Sequence, residues 1–224
     1  MDNKHNDRRI FDLAMHTWLR YALVFLKWLL WAAVIGMALG FISTAFHYSV
    51  DFAQELRLAY PWFLCLLPVG GLIIVFMYRA CGVKDDRGAN AVLEATINGE
   101  PVKKRVAPLI FIGTVLTHLF GGSAGREGAA LQLGGSIAGL FGGVFHIKPG
   151  DGRVLTICGM SAAFSALFGT PITAAVFAVS VASAGTVQYA ALFPSVVSAF
   201  AGFLVSSALG VPPTRFELLG IPAL

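Results

Sequence analysis

From Val154 through Thr214 the chain runs for 61 consecutive residues without one Asp, Glu, Lys or Arg. A soluble domain cannot carry such a run, because its surface is covered largely by polar and charged side chains. A bilayer can. One helical crossing takes about 20 apolar residues, so this stretch alone supplies two or three crossings or partial crossings. The composition extends the conclusion to the whole chain: 57% of the 224 residues are hydrophobic and 12% are charged, with a mean hydropathy of +0.75. The fold class that follows is an all-α, polytopic membrane protein.

The first twenty residues are polar and charged, too long for the n-region of a secretory signal, and the apolar run after them is too long for an h-region. Tyr21 to about Phe46 reads as a retained first span, with Lys27 near one end where it can snorkel. Lys4, Arg8, Arg9 and Arg20 before it favour a cytoplasmic N-terminus. A second span covers the charge-free window Leu58 to Tyr78, and a third apolar segment runs from Val106 to Gly122. Between these two, Asn90 stands before the short run "AVLEATI" as an N-cap residue, which predicts a short helix. The net charge of +4 sits in loops such as "PVKKRV" without interleaved aromatics, which fits membrane flanks and calls for no nucleic-acid partner. Cys65, Cys81 and Cys158 are scattered, so neither a disulfide framework nor a metal site follows. His118, inside an apolar segment, reads as a hydrogen-bonded packing residue.

Two glycine-rich signals concern packing and helix breaks. Gly135, Gly139 and Gly143 recur every four residues beside a parallel row of Gly134, Ala138 and Gly142, a pattern that lets helices approach closely in lipid. Gly169-Thr170-Pro171 predicts one helix ending and another starting inside an apolar stretch, with Thr170 as N-cap and Pro171 in the first helical position. Backbone breaks at membrane depth must be buried in protein or line a wet cavity, as in channels and transporters.

The segment "THLFGGSAGREGAALQLGG", Thr117 to Gly135, places Arg126 and Glu127 in uncharged surroundings. Its Gly121 to Gly125 stretch matches the G-x-S-x-G elbow of serine hydrolases, with Ser123 as nucleophile, but the elbow needs a strand before it and an acid and a histidine placed after it. An intramembrane serine hydrolase is therefore the weaker reading. Ionisable residues inside a span mark cavities, and a glycine break before a helix leaves its first N–H groups free for an anion. Gly125 and Gly128 let an ion approach the backbone closely, while Glu127, itself an anion, has to be protonated or swung aside. That describes a gate, and possible proton carriage follows from the same carboxylate. The bland alternative is a structural Arg126-Glu127 pair at a helix start, although neighbouring helical residues point to different sides.

On these residues the chain resembles the CLC family of chloride channels and proton-coupled anion antiporters. "GSAGREGAALQLGGSIAG" is similar to the family's G-K/R-E-G-P signature, "GMSAAFSALFGTPITAAVFAVSV" to the segment that follows it, and "DRGANAVLEA" lies where the family has G-S-G-I-P. The resemblance spans nearly the whole chain and the first of the family's two inverted halves. It implies that Glu127 is the gating and proton-linked residue. It further implies an anion site made by Gly125, Arg126, Gly128 and Ala129 from one helix start and by Gly88, Ala89 and Asn90 from a second. Ala129 replaces the family's proline and Ala89 its anion-coordinating serine, and Ser180 and Val181 stand where proton-coupled members carry glutamates. "THLFGGSAGREG" places the chain nearer the fluoride-exporting branch.

The resulting expectations are a cytoplasmic segment 1–20, a transmembrane half-domain 21–210, and a linker 211–224 toward a second half that supplies the remaining ligands. The implied partners are chloride or fluoride, protons, the lipid of a bacterial plasma membrane and, by resemblance, a second copy in a homodimer. No cofactor and no enzymatic activity are called for. A membrane subunit that assembles without conducting is the runner-up.

Overall fold

The computed structural model describes residues 3–83, 87–98, 100, 102, 104–147, 149–182 and 189–213, with side chains described from Thr17 onward. Every regular element among them is helical: α1 (Asn3–Ala59), α2 (Leu67–Ala80), α3 (Ala89–Asn98), α4 (Val106–Leu119), α5 (Arg126–Val144), α6 (Gly152–Phe168), α7 (Pro171–Val181) and α8 (Tyr189–Ala208). A 3-10 turn, Pro61–Leu66, leads into α2, and another, Pro149–Asp151, leads into α6.

Among the described residues three helical stretches are long and apolar enough to cross a membrane: Thr17–Ala59, Pro61–Ala80 and Tyr189–Ala208. The first is longer than the expected Tyr21–Phe46 at both ends. Helix α1 has no internal break from Asn3 to Ala59, so residue 20 does not mark an end of secondary structure. Its 57 residues extend about 86 Å at 1.5 Å per residue, well beyond a hydrocarbon core of about 30 Å. The continuation past Phe46 carries His47 and Asp51 with it. By contrast α3 and α7, at 10 and 11 residues, reach only about 15–17 Å and are half-helices by length.

Two ion pairs set the direction of the bundle. Lys27 Nζ lies 3.3 Å from Asp151 Oδ2, at the start of α6, and Arg126 Nη2 lies 2.9 Å from Asp51 Oδ1, at the start of α5. Lys27 and Asp51 are separated along α1 by about 36 Å, so α5 runs antiparallel to α1 between those levels; the Trp31–Phe145 edge contact marks its far end. Lys27 therefore does more than snorkel.

Small residues decide how closely the helices pack. The row Gly134, Ala138, Gly142 faces α6: a Cβ on Gly134 would collide with the Gly159 carbonyl, and a Cβ on Gly159 would stand 2.6 Å from Ala138 Cβ. The row Gly135, Gly139, Gly143 faces the other way, toward Val92, Val102 and Lys104. Thus α5 is held between α6 and the α3 region, most tightly at Gly134 against Gly159 and at Gly135 against Val92. Helices α1, α6 and α8 pack similarly, with Gly36 against Ser198 and Gly202 against Ala162. Ser161 Oγ donates to the Ser195 carbonyl and Ser198 Oγ to the Cys158 carbonyl, both at 3.0 Å. Such interhelical hydrogen bonds take the place of the hydrophobic drive that lipid does not supply.

This packing makes a test of stability. Gly134→Val is expected to lower the thermal unfolding midpoint of the detergent-purified chain, with an overpacking cost of about 1–3 kcal/mol. Gly71→Ala, where an added Cβ meets nothing within 4 Å, should leave the midpoint unchanged. Equal midpoints for native and Gly134→Val protein would show that α5 and α6 are not tightly joined.

The predicted break before Pro171 is present. Gly169 closes α6 in the left-handed region at φ 71°, and Thr170 and Pro171 open α7, although Thr170 makes no side-chain capping bond. The Asn90 expectation is corrected: α3 begins at Ala89, so Asn90 is inside the first turn rather than at the cap. Gly88 precedes it at φ +63°, a conformation that glycine adopts without steric cost. Helix α5 begins at Arg126, so the Arg126-Glu127 pair lies inside its first turn. Of the expected linker, residues 214–224 lie outside the described residues.

Candidate functional site

Helix α5 starts abruptly because Gly125, extended at φ −68° and ψ 123°, is its N-cap and offers no side chain to the first turn. The first intrahelical bond runs from Ala129 N to the Gly125 carbonyl. The amides of Arg126, Glu127 and Gly128 come before it in the ladder and form the positive end of the helix dipole. Helix α3 begins in the same way, with its first bond from Ala91 N to the Gly88 carbonyl.

The two starts meet. A Cβ on Gly128 would stand 3.8 Å from Ala89 Cβ, and one on Gly88 would stand 3.2 Å from Gln132 Nε2. Gly88, Ala89, Gly128 and Gln132 are therefore neighbours, although 44 positions separate Gly88 from Gln132. Gln132 is 3% exposed and its Oε1 has no hydrogen-bond partner. Nothing in its sequence setting marked it, apart from its place four residues after Gly128 on the same helical face.

The acidic side chain belongs to the first turn of α5. Glu127 is exposed, and its Oε2 lies 3.4 Å from the position of a Cβ on Gly125. The carboxylate thus lies close to the glycine that opens α5. Asn90 and Gly125 are also exposed. Ala129 is not: it is 3% exposed and belongs to the core cluster with Leu133 and Phe46, so its methyl group faces packing.

Arg126 does not pair with Glu127, which disposes of the simple structural pair. Its guanidinium goes to Asp51 on α1, and Asp51 Oδ2 in turn lies 3.1 Å from His47 Nε2. Sequence reasoning missed Asp51 and His47, because it ended the first span at Phe46. The readable signal was a His and an Asp four residues apart at the end of an apolar run.

The hydrolase reading fails on local structure. The element before Ser123 is helix α4 rather than a strand, and Ser123 lies exposed in the loop between α4 and α5. The nearby His118 is taken up within its own helix, with Nδ1 2.8 Å from the Thr114 carbonyl oxygen.

The fold defines an all-helical polytopic membrane protein in which two helix starts meet at Gly128 and Ala89, one of them carrying a carboxylate in its first turn. The comparisons with known proteins agree. The family model described as voltage gated chloride channel matches residues 70–222. A chloride/fluoride channel protein of Pseudomonas syringae pv. tomato is 39% identical over 193 residues, covering 86% of this chain and 43% of that protein. A Klebsiella pneumoniae H(+)/Cl(-) exchange transporter ClcA is 29% identical over 200 residues, covering 80% of this chain and 40% of that protein. Among solved structures, a CLC-type fluoride/proton antiporter superimposes with a TM-score of 0.79 at 33% identity, over 89% of this chain and 51% of its own. The chain belongs to the voltage-gated chloride channel (CLC) family. It spans about half the length of the relatives it matches, or somewhat less.

Proposed function

We propose that this chain builds one half of a membrane transport unit for a small anion, chloride or fluoride, with the carboxylate of Glu127 as its gate. The observation that carries this reading is the Glu127 carboxylate lying close to Gly125 at the start of α5, where α3 also begins. A carboxylate at a helix start occupies the place an external anion would take. Protonation, or rotation of the side chain, frees that place. Backbone donors of Arg126, Glu127 and Gly128 on α5 and those at the start of α3, from Gly88 to Asn90, would then face the ion, their partial charges favouring an anion without binding it irreversibly; the Ala129 amide is already taken by the Gly125 carbonyl.

Ala89 presents no hydroxyl to such an ion, so on this reading the anion is held by main-chain donors and the Gln132 amide rather than by a serine. Fluoride, the more strongly hydrated halide, gains most from several N–H donors. The relatives named for fluoride favour it as the substrate. Ser180 and Val181 at the end of α7 carry no proton acceptor of carboxylate strength, so on this reading proton coupling involves Glu127 and not the end of α7.

The orientation proposed is N-terminus inside, in the plasma membrane of a bacterium. Lys27 and Asp151 lie at one end of the bundle, and Lys104, set against Gly143 of α5, gathers at that same end. Arg105 is there too, donating to the Cys81 carbonyl after α2. Basic residues concentrated on one side favour the cytoplasm for that side. A second half and a second copy would complete the unit.

The test is a flux assay. Liposomes containing the chain together with a second CLC half are expected to release fluoride or chloride, followed with ion-selective electrodes, while a pH probe inside registers any proton movement. Assembly with that half and no release of either ion would favour the non-conducting subunit instead.

A further inference from the structure

We infer that Asp51 is a positioning residue for the gate: it holds the Arg126 guanidinium against α1 and so keeps that cation from pairing with the Glu127 carboxylate. The inference rests on the reading of Glu127 above and adds a residue to it. Arg126 and Glu127 open α5 side by side, yet the 2.9 Å contact of Arg126 Nη2 is with Asp51 Oδ1, on a helix 75 positions away in sequence. The other carboxylate oxygen of Asp51 is 3.1 Å from His47 Nε2, one turn earlier on α1. His47 Nδ1 is buried without a hydrogen-bond partner, so the ring meets Asp51 through Nε2 alone. Asp51 thus meets partners on two sides, and its charge is matched by Arg126.

The consequence for Glu127 follows from charge alone. With Asp51 present, the neighbouring cation is already neutralised. Without it, a free guanidinium one residue from Glu127 can swing to the carboxylate, stabilise its charged form and hold the gate shut to lower pH. Removing Arg126 instead leaves the Asp51 carboxylate uncompensated near Glu127, which opposes ionisation. The two single changes therefore act in opposite directions, whereas a purely structural role would weaken the protein in both cases without reversing sign.

Among the described residues the other ionisable groups on the surrounding elements include Lys27, Tyr48, Glu55 and Arg57 on α1, His118 on α4, Arg153 and Cys158 on α6, and Arg87 with Glu94 beside and on α3. Arg87 and Glu94 are paired at 3.0 Å, His118 contacts the Thr114 carbonyl, and Arg153 donates to the Ala182 carbonyl. None of these bonds involves Arg126 or Glu127.

The experiment follows the Glu127 carboxyl by ¹³C NMR in the detergent-purified chain labelled with [¹³C]glutamate, its signal assigned by its loss in Glu127→Gln. Asp51→Asn is expected to move the titration midpoint of that signal to lower pH by about one unit. Arg126→Gln should move it to higher pH, and the double variant Asp51→Asn/Arg126→Gln should return close to the native midpoint. Asp51→Glu, which keeps the charge, should also stay near native and shows that the site tolerates change. Single variants with the native midpoint, or with shifts of the same sign, would overturn the inference. Should one single variant not fold, the sign of the other against Asp51→Glu still decides. The readout needs no conduction, so it is independent of whether Glu127→Gln alters flux, which is the test of the gate itself.

Discussion

In an assembled, conducting complex, Glu127→Gln is expected to flatten the pH dependence of anion flux. The native carboxylate competes for the start of α5 only while it is charged, and its charged fraction can change up to about tenfold per pH unit through its titration range. Flux in native protein should therefore rise as pH falls. The glutamine amide is close in shape to the protonated acid and cannot titrate, so flux stays near the acid-side level throughout. Glu127→Ala should be equally insensitive to pH. Reconstitution at a series of pH values, with halide efflux measured by electrode, gives the comparison directly. A Gln variant that kept the native profile would remove Glu127 from the role of gate and leave its position beside Gly125 as a feature of helix capping.

Reconstituted with no second half, the chain is expected to give no halide efflux above that of empty liposomes. The proposed site draws its donors from the starts of α3 and α5, which touch through Gly128 and Ala89. An anion placed there is covered on that side and bare on the other. Leaving an anion partly desolvated costs roughly several kcal/mol, enough to exclude it from the site at ordinary concentrations. Completion by an oppositely inserted copy of the same chain is disfavoured, because the basic residues at the Lys27 and Lys104 end bias insertion one way. Efflux measured at several protein densities checks this. Specific efflux abolished by Glu127→Ala with no other protein present would sink the half-unit reading; efflux that appears only on co-expression of a second CLC half would support it.

The sequence by itself settled the solvent and the punctuation of the chain. Sixty-one uncharged residues admit only a membrane interior, and glycine and proline near positions 125 and 170 mark helix starts because their backbone rules are local. For the same reason Arg126 and Glu127 could be placed at the opening of α5 to within two residues, and the break before Pro171 to the residue. The paired glycine rows announced a helix that neighbours can approach closely, since a missing Cβ is visible in the letters. What the rows could not say was which neighbours they admit, α6 on one side and the α3 region on the other.

Only the tertiary structure decided the partners of the charged groups. Arg126 reaches Asp51 because α1 runs unbroken to Ala59 and passes the start of α5, and a helix's end is set by packing as much as by its own residues. Gln132 meets Gly88 because two helix starts from distant segments share one space. Hydrophobic pattern and capping act within a turn or two of chain, so they fix where helices begin and which solvent they face. Contacts between residues 44 or 75 positions apart depend on how whole helices cross, and the atoms that determine those crossings lie far from either partner in sequence.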